Sequence, residues 1–227
     1  MNSAELWAEI EADQAWREEE IRFLQNRLTD IESDDDKSRF RRALILMLYA
    51  HFEGFFRFVL THYVKAVNRA GLTCQQAQTA LAAATLAQVF RDLRNPNSKC
   101  EEFHNILPDD AKLHRFARDK EFLERVTDFE ERPIDISDDV IDTESNLKPP
   151  VIRKNLYYLG FAPDKFASFE GQVNKLLKFR NRIAHGETRQ GIKDEDYVSL
   201  RDTAQSIMNE MKREIMQAIE RKEYMRR

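Results

Sequence analysis

The 227-residue chain is 42% hydrophobic and holds 15 phenylalanines, so a packed core is feasible, and its 33% charged residues with only 6 glycines and 6 prolines lean towards helix. Two cysteines, Cys74 and Cys100, give no disulfide framework, and no apolar segment near the start resembles a signal peptide. The most apolar run, residues 43–60, carries His51, Glu53 and Arg57, so it reads as a buried helix and not as a membrane span, and the expected location is cytoplasmic.

Trp7, Ile10, Gln14, Arg17, Ile21, Leu24, Leu28 and Ile31 recur three and four apart, a stripe with a polar middle. It reads as a first helix laid on a bundle, with a separate coiled coil as the alternative. Asp34, Asp35 and Asp36 mark a connection, so residues 1–36 form an acidic N-terminal helix or arm and residues 37–227 the main helical domain. A second helix is expected over 37–70, ended by Gly71; between Leu44 and Leu60 it is apolar on nearly all sides, which suggests a central place in the core. The third is expected over 73–93, stopped by Asn95-Pro96-Asn97. Shorter helices follow over 98–107 and 110–129, then an irregular, acidic, proline-bearing stretch over 131–150. Helices over 151–159, 167–185 and 194–226 complete the set. With no Gly-rich phosphate loop, no strand-like alternation and no repeat, the fold class is all-α, a helical bundle with a terminal arm.

The net charge of −4 hides an uneven distribution. Residues 1–36 hold 3 basic and 12 acidic residues, a balance of −9, whereas residues 148–193 hold 10 basic and 3 acidic ones, a balance of +7. Polyanion binding follows the local field and not the total, so an acidic chain can carry a basic site. The acidic arm could in turn shield the basic segment.

Inside that segment residues 176–187 read LLKFRNRIAHGE. Phe166, Phe169, Val173, Leu176 and Ile183 mark an inward stripe, and Arg180 stands in it where a leucine would be expected. A guanidinium aimed inwards is costly unless a carboxylate, a phosphate or water meets it. Asn181 and His185, four apart, share a face, and Gly186 stops the helix just past His185. Arg180 lies five residues before His185, roughly 140° around the axis, so spacing alone does not make the two converge. A titratable group, a fixed cation and a polar orienter thus sit in a basic neighbourhood. From the residues alone, Arg180 fits a structural ion pair and His185 a helix-terminal residue bonded to nearby carbonyls.

Arg180, Asn181, Ala184, His185 and Gly186 resemble the R-N-x-x-A-H-G form of the Arg-x4-His motif of the HEPN superfamily (higher eukaryotes and prokaryotes nucleotide-binding). YAHFEGFFRFVL at 49–60 and ESNLKPPVIRKNLYYLGF at 144–161 are similar to stretches of its toxin-type RiboL-PSP and MAE families, so the likeness covers roughly residues 37–220. The resemblance implies a helical domain that forms a homodimer, two motif helices facing across a cleft, and metal-independent RNA cleavage, often as a toxin or phage-defence effector under an antitoxin or other regulatory partner. It implies catalytic roles for Arg180, Asn181 and His185, with no cofactor and no metal. Some members have lost catalysis and bind protein, nucleotide or RNA instead; they usually lack the complete pair present here.

Substrate contacts are expected from Arg182 and Lys178, which would otherwise form a solvated basic face, and from Glu53, which would hold Arg180, face the cleft, or pair with Arg57. His51 fits a core or interface histidine. Tyr157, Tyr158 and Phe161 have the chemistry to stack bases, but at helical spacing they read as core. Cys100, His104 and His114 lack a completing ligand for zinc, and the loop from Asp135 to Asn146 has Val140 and Asn146 where a calcium loop needs glycine and glutamate. No nucleophile elbow supports a serine hydrolase.

Overall fold

In a computed structural model that describes residues 3–226, the chain is 70% helical and, among those residues, forms no β-strand. Eight α-helices follow one another: α1 (Ser3–Asn26), α2 (Asp34–Arg69), α3 (Thr79–Thr85), α4 (Ala87–Arg94), α5 (Ala111–Val126), α6 (Pro149–Tyr158), α7 (Glu170–Ala184) and α8 (Asp194–Glu220).

The bundle is organised around α2, against which α1, α7 and α8 pack. Phe52, Phe55, Phe56, Val59, Leu60 and Tyr63 of α2 are fully buried. Among the described residues α2 is the one helix long and apolar enough to cross a membrane, and its apolar side chains fill the core. The three aspartates do not form a connection: Ser33 caps α2 by accepting from Asp36 N at 3.3 Å, and Asp34, Asp35 and Asp36 form its first turn, where the helix dipole favours negative charge.

α1 lies on the bundle, with Leu6, Ile10 and Ile21 in the same hydrophobic core as residues beyond 37. Its polar middle is used as well. Gln14, buried, donates to Asn209 Oδ1 of α8 at 2.7 Å, and Arg17 pairs with Asp13 while reaching His51 O. Glu20 stands 2.8 Å from His51 Nε2, Glu9 3.0 Å from His62 Nε2, and Glu11 pairs with Lys212. Three carboxylates of α1, Glu9, Glu11 and Glu20, are thus engaged on α2 and α8.

Two expected helices are displaced by tertiary bonds. Residues 73–78 exchange backbone hydrogen bonds with Arg132 and Glu130 on one side and with Tyr224 and Arg226 on the other, so the helix expected over 73–93 starts late and breaks at Leu86 into α3 and α4. Residues 98–107 form turns wrapped around buried His114, whose Nδ1 accepts from Cys100 N at 3.1 Å while Nε2 donates to Pro108 O at 3.3 Å. Backbone groups bonded outward in this way cannot serve a helix.

Candidate active site

α7 buries Val173, Leu176, Leu177 and Ile183, the inward stripe extended by Leu177, and Arg180 leaves the same side half-buried. The helix closes in a C-terminal motif: Glu187 N donates to Arg182 O at 2.9 Å and Gly186 N to Ile183 O at 3.1 Å, with Gly186 at φ +68°. That left-handed residue turns the chain away and leaves His185 as the cap, its N–H bonded to Asn181 O at 2.9 Å. The His185 side chain is exposed, and among the described residues its ring makes no hydrogen bond or ion pair.

Arg180 is held by neutral groups. One guanidinium nitrogen donates to Asn181 Oδ1 at 2.9 Å, another reaches Ser145 O at 3.5 Å, and its central carbon stands 4.8 Å from the centre of the Tyr49 ring. No carboxylate within ion-pair distance is found among the described residues, so the structural ion pair that residue types alone favoured is not formed. The Tyr49 hydroxyl accepts from Leu147 N at 2.6 Å. Burial, and then the nearby Glu53 carboxylate, hold this phenol well above its ordinary pKa, so it stays protonated. Glu53 thus lies near Tyr49 and forms no ion pair with Arg57 or Arg180 among the described residues.

Three separated stretches thus meet at one guanidinium: Tyr49 from α2, the turn 143–147 before α6, and the end of α7. The turn is strained, with Glu144 at φ +52° and Ser145 at φ +55°, conformations that side chains with a Cβ rarely adopt. It is fastened by Leu147 N on Tyr49 and by Lys154 Nζ on Glu144 Oε1 at 2.7 Å. Sequence reading assigned no role to Tyr49, Ser145 or Leu147, although all three lie in the stretches that carried the resemblance.

Lys178 and Arg182 are exposed on α7, and neither forms an ion pair among the described residues. With Asn181 Oδ1 turned to Arg180, the Asn181 amide nitrogen keeps two protons to donate. The arrangement offers a partly desolvated cation and an adjacent amide donor, suited to gripping a phosphate diester, and at the end of the same helix an exposed imidazole able to carry a proton. Among the described residues no group of three His, Cys, Asp or Glu side chains is placed to hold a metal ion, and His104 and His114 are committed to backbone carbonyls.

Tyr157 and Tyr158 are not core: they are 65% and 43% exposed, and only Phe161 is buried. α6 turns its other side, Val151, Ile152, Asn155 and Leu156, to the interior, so these two rings close the helix on its solvent face.

Neither a curated protein nor a solved structure matches the chain. The family model described as RiboL-PSP-HEPN matches residues 12–217, beginning inside α1 and running through α7 into α8. With nearly its whole length matched, the chain belongs to the RiboL-PSP-HEPN family of the HEPN superfamily.

Proposed function

We propose that this protein is a metal-independent endoribonuclease that cleaves RNA by attack of the ribose 2′-hydroxyl, acting as a homodimer and serving as a toxin or phage-defence effector restrained by a partner protein. Family membership supports a nuclease-like, RNA-related function at the coarse level. The observation that carries the finer reading is Arg180: a half-buried cation bonded only to neutral acceptors, five residues before an exposed and unengaged His185 on the same helix end. A charge held in that way lacks its counter-ion, and a phosphate supplies one.

In the reaction a base takes the 2′-hydroxyl proton, the oxygen bonds to phosphorus, and the P–O5′ bond breaks as an acid protonates the leaving oxygen. Arg180 stabilises the charge that builds on the equatorial oxygens, and the Asn181 amide orients the phosphate. Base and acid stand on opposite sides of an in-line displacement, so one His185 comes from each of two chains. The products are a 2′,3′-cyclic phosphate and a 5′-hydroxyl.

Purified protein incubated with total RNA in EDTA is expected to leave those termini, and His185→Ala is expected to slow cleavage by about a hundredfold or more. Undiminished cleavage by His185→Ala refutes the assignment. No cleavage by the parent protein, free or with its genomic neighbour removed, favours a catalytically silent HEPN module that binds through the same cleft.

A further inference from the structure

A groove of about 640 Å³ lies between α3, α4 and the end of α6. Ala83 and Ala87 are among the small residues that line it, Tyr157 and Tyr158 stand on one side, and Arg91 and Arg94 on the other. Its size falls in the range of about 300–1,000 Å³ typical of ligand sites. We propose that this groove is a binding subsite for single-stranded RNA, taking unpaired bases on Tyr157 and Tyr158 and the connecting phosphates on Arg91 and Arg94. The subsite extends the ribonuclease reading above, and rests on it for the identity of the polymer.

Four observations select RNA. The tyrosines are exposed in a chain that buries its other four, Tyr49, Tyr63, Tyr197 and Tyr224, and their ring centres are 6.3 Å apart at 55°, so they offer two separately inclined faces and are not stacked on each other. Base-on-aromatic stacking needs such exposed faces and tolerates any base. The opposite wall is cationic: Arg94 lies over the Phe90 ring at 5.5 Å and forms no ion pair among the described residues, while Arg91 keeps one exposed ion pair, to Asp139 at 3.6 Å, and donates to Gln88 Oε1 at 3.1 Å. Phosphate competes readily with a solvated pair of that kind.

The groove is also joined to the motif site. α6 rises about 15 Å over its ten residues. Tyr158, at its far end, is one helical turn from Lys154 on the same face; Lys154 binds Glu144, and the next residue, Ser145, presents its carbonyl to Arg180. A chain of neighbouring residues along α6 and the turn before it thus links the tyrosines to the arginine, and the length of α6 is a span that a few unpaired nucleotides cover. The position of the tyrosines is set by Gly160, at φ +80° just past α6, where a Cβ would overlap Gln78 Oε1 next to Ala80. That close approach fastens the end of α6 to the start of α3.

The test uses full-length His185→Ala protein, so that binding is read without cleavage, and fluorescent oligouridylates of 3 and 12 nucleotides. Replacing both Tyr157 and Tyr158 by Ala is expected to weaken 12-mer binding on the order of tenfold or more. Arg94→Glu is expected to weaken it too, with a shallower salt dependence. Both sites are exposed, and an unaltered thermal melt verifies the fold. Independently, a 12-mer carrying 4-thiouridine is expected to photocross-link to the peptide holding Tyr157 and Tyr158. Unchanged 12-mer affinity in both variants, with cross-links elsewhere, overturns the proposal and leaves the groove to a protein helix. The ribonuclease reading fails on a different result, absence of cleavage by the parent protein, which these binding measurements do not use.

Discussion

Tyr49→Phe removes one oxygen and leaves the ring under Arg180 in place. The lost hydroxyl is the acceptor for Leu147 N at 2.6 Å, and Leu147 is fully buried, as is Tyr49 at 2% exposure. An orphaned buried N–H costs about 1–3 kcal/mol. A loss of about 2 kcal/mol lowers the melting temperature of a chain of this size by roughly 4–8 °C. The same change should free the turn 143–147, which stands in strained conformations at Glu144 and Ser145 and holds the Ser145 carbonyl to Arg180. Calorimetry reads the first effect, and amide exchange at Leu147 and Ser145 reads the second, with faster exchange expected at both. RNA cleavage should fall more than stability does, because the arginine loses one of its two neutral acceptors. A melting temperature within about 1 °C of the parent, together with unchanged exchange at Leu147, would show that the turn is held by something other than Tyr49.

Gly186→Ala should cost about 1–2 kcal/mol, because φ +68° is strained for any residue with a Cβ while nothing lies within 4 Å to clash, and Gly186→Asn should cost less; urea denaturation of the two variants checks this. Lys178→Ala and Arg182→Ala should each weaken RNA binding and lower the slope of log K against log salt by about 0.7, measured by fluorescence anisotropy at several ionic strengths. His51 provides a pH effect. Its pKa is lowered, first by burial and also by the Arg17 charge, against the pull of Glu20 and Asp13. Above the ordinary value of 6.5 both folded and unfolded chains hold the ring neutral. As pH falls below it the unfolded chain takes up the proton first, so stability should decline until the pH passes the lowered folded value. Denaturation curves at pH 7.5 and 5.5 should therefore differ less for His51→Gln than for the parent.

How much of this was legible beforehand depends on where the backbone groups go. α2, α6 and α7 were expected close to where they stand, α2 and α7 ended by Gly71 and Gly186, because each is a helix whose bonds stay within it, although α6 begins at Pro149, inside the stretch expected to be irregular. The segments 73–78 and 98–107 have compositions that suit helices, yet the N–H groups of Cys74, Gln75 and Gln78 serve Arg132, Glu130 and Tyr224, and that of Cys100 a buried imidazole, which no local pattern announces. The same holds at the site. That Arg180 interrupts an inward stripe was readable from periodicity. That it lands on Tyr49 and a carbonyl of the turn 143–147 required the packing of α2 against α7. Tyr157 and Tyr158 misled for the opposite reason: two aromatic neighbours on a short helix suit a core, and only the topology shows that the apolar interior lies on the other side of α6.

Stability alone gives no reason for an arginine at position 180. Val173, Leu176, Leu177 and Ile183 line that side of α7, and a leucine would extend them over the Tyr49 ring. The guanidinium instead loses part of its hydration and receives two hydrogen bonds and an aromatic face, with no opposite charge to repay the desolvation. Replacing a poorly compensated buried charge by an apolar residue of similar reach is often neutral or stabilising. Arg180→Leu should therefore keep or raise the melting temperature, by up to about 4 °C for a gain of about 1 kcal/mol, while abolishing RNA cleavage. Arg180→Lys keeps the charge but loses the planar fork that spans Asn181 and Ser145, and should recover only part of the cleavage. The two readouts moving in opposite directions would mark a residue kept for what it binds. If Arg180→Leu instead melts several degrees lower, the arginine is a structural part of the junction between α2, α7 and the turn 143–147, and the phosphate role assigned to it falls.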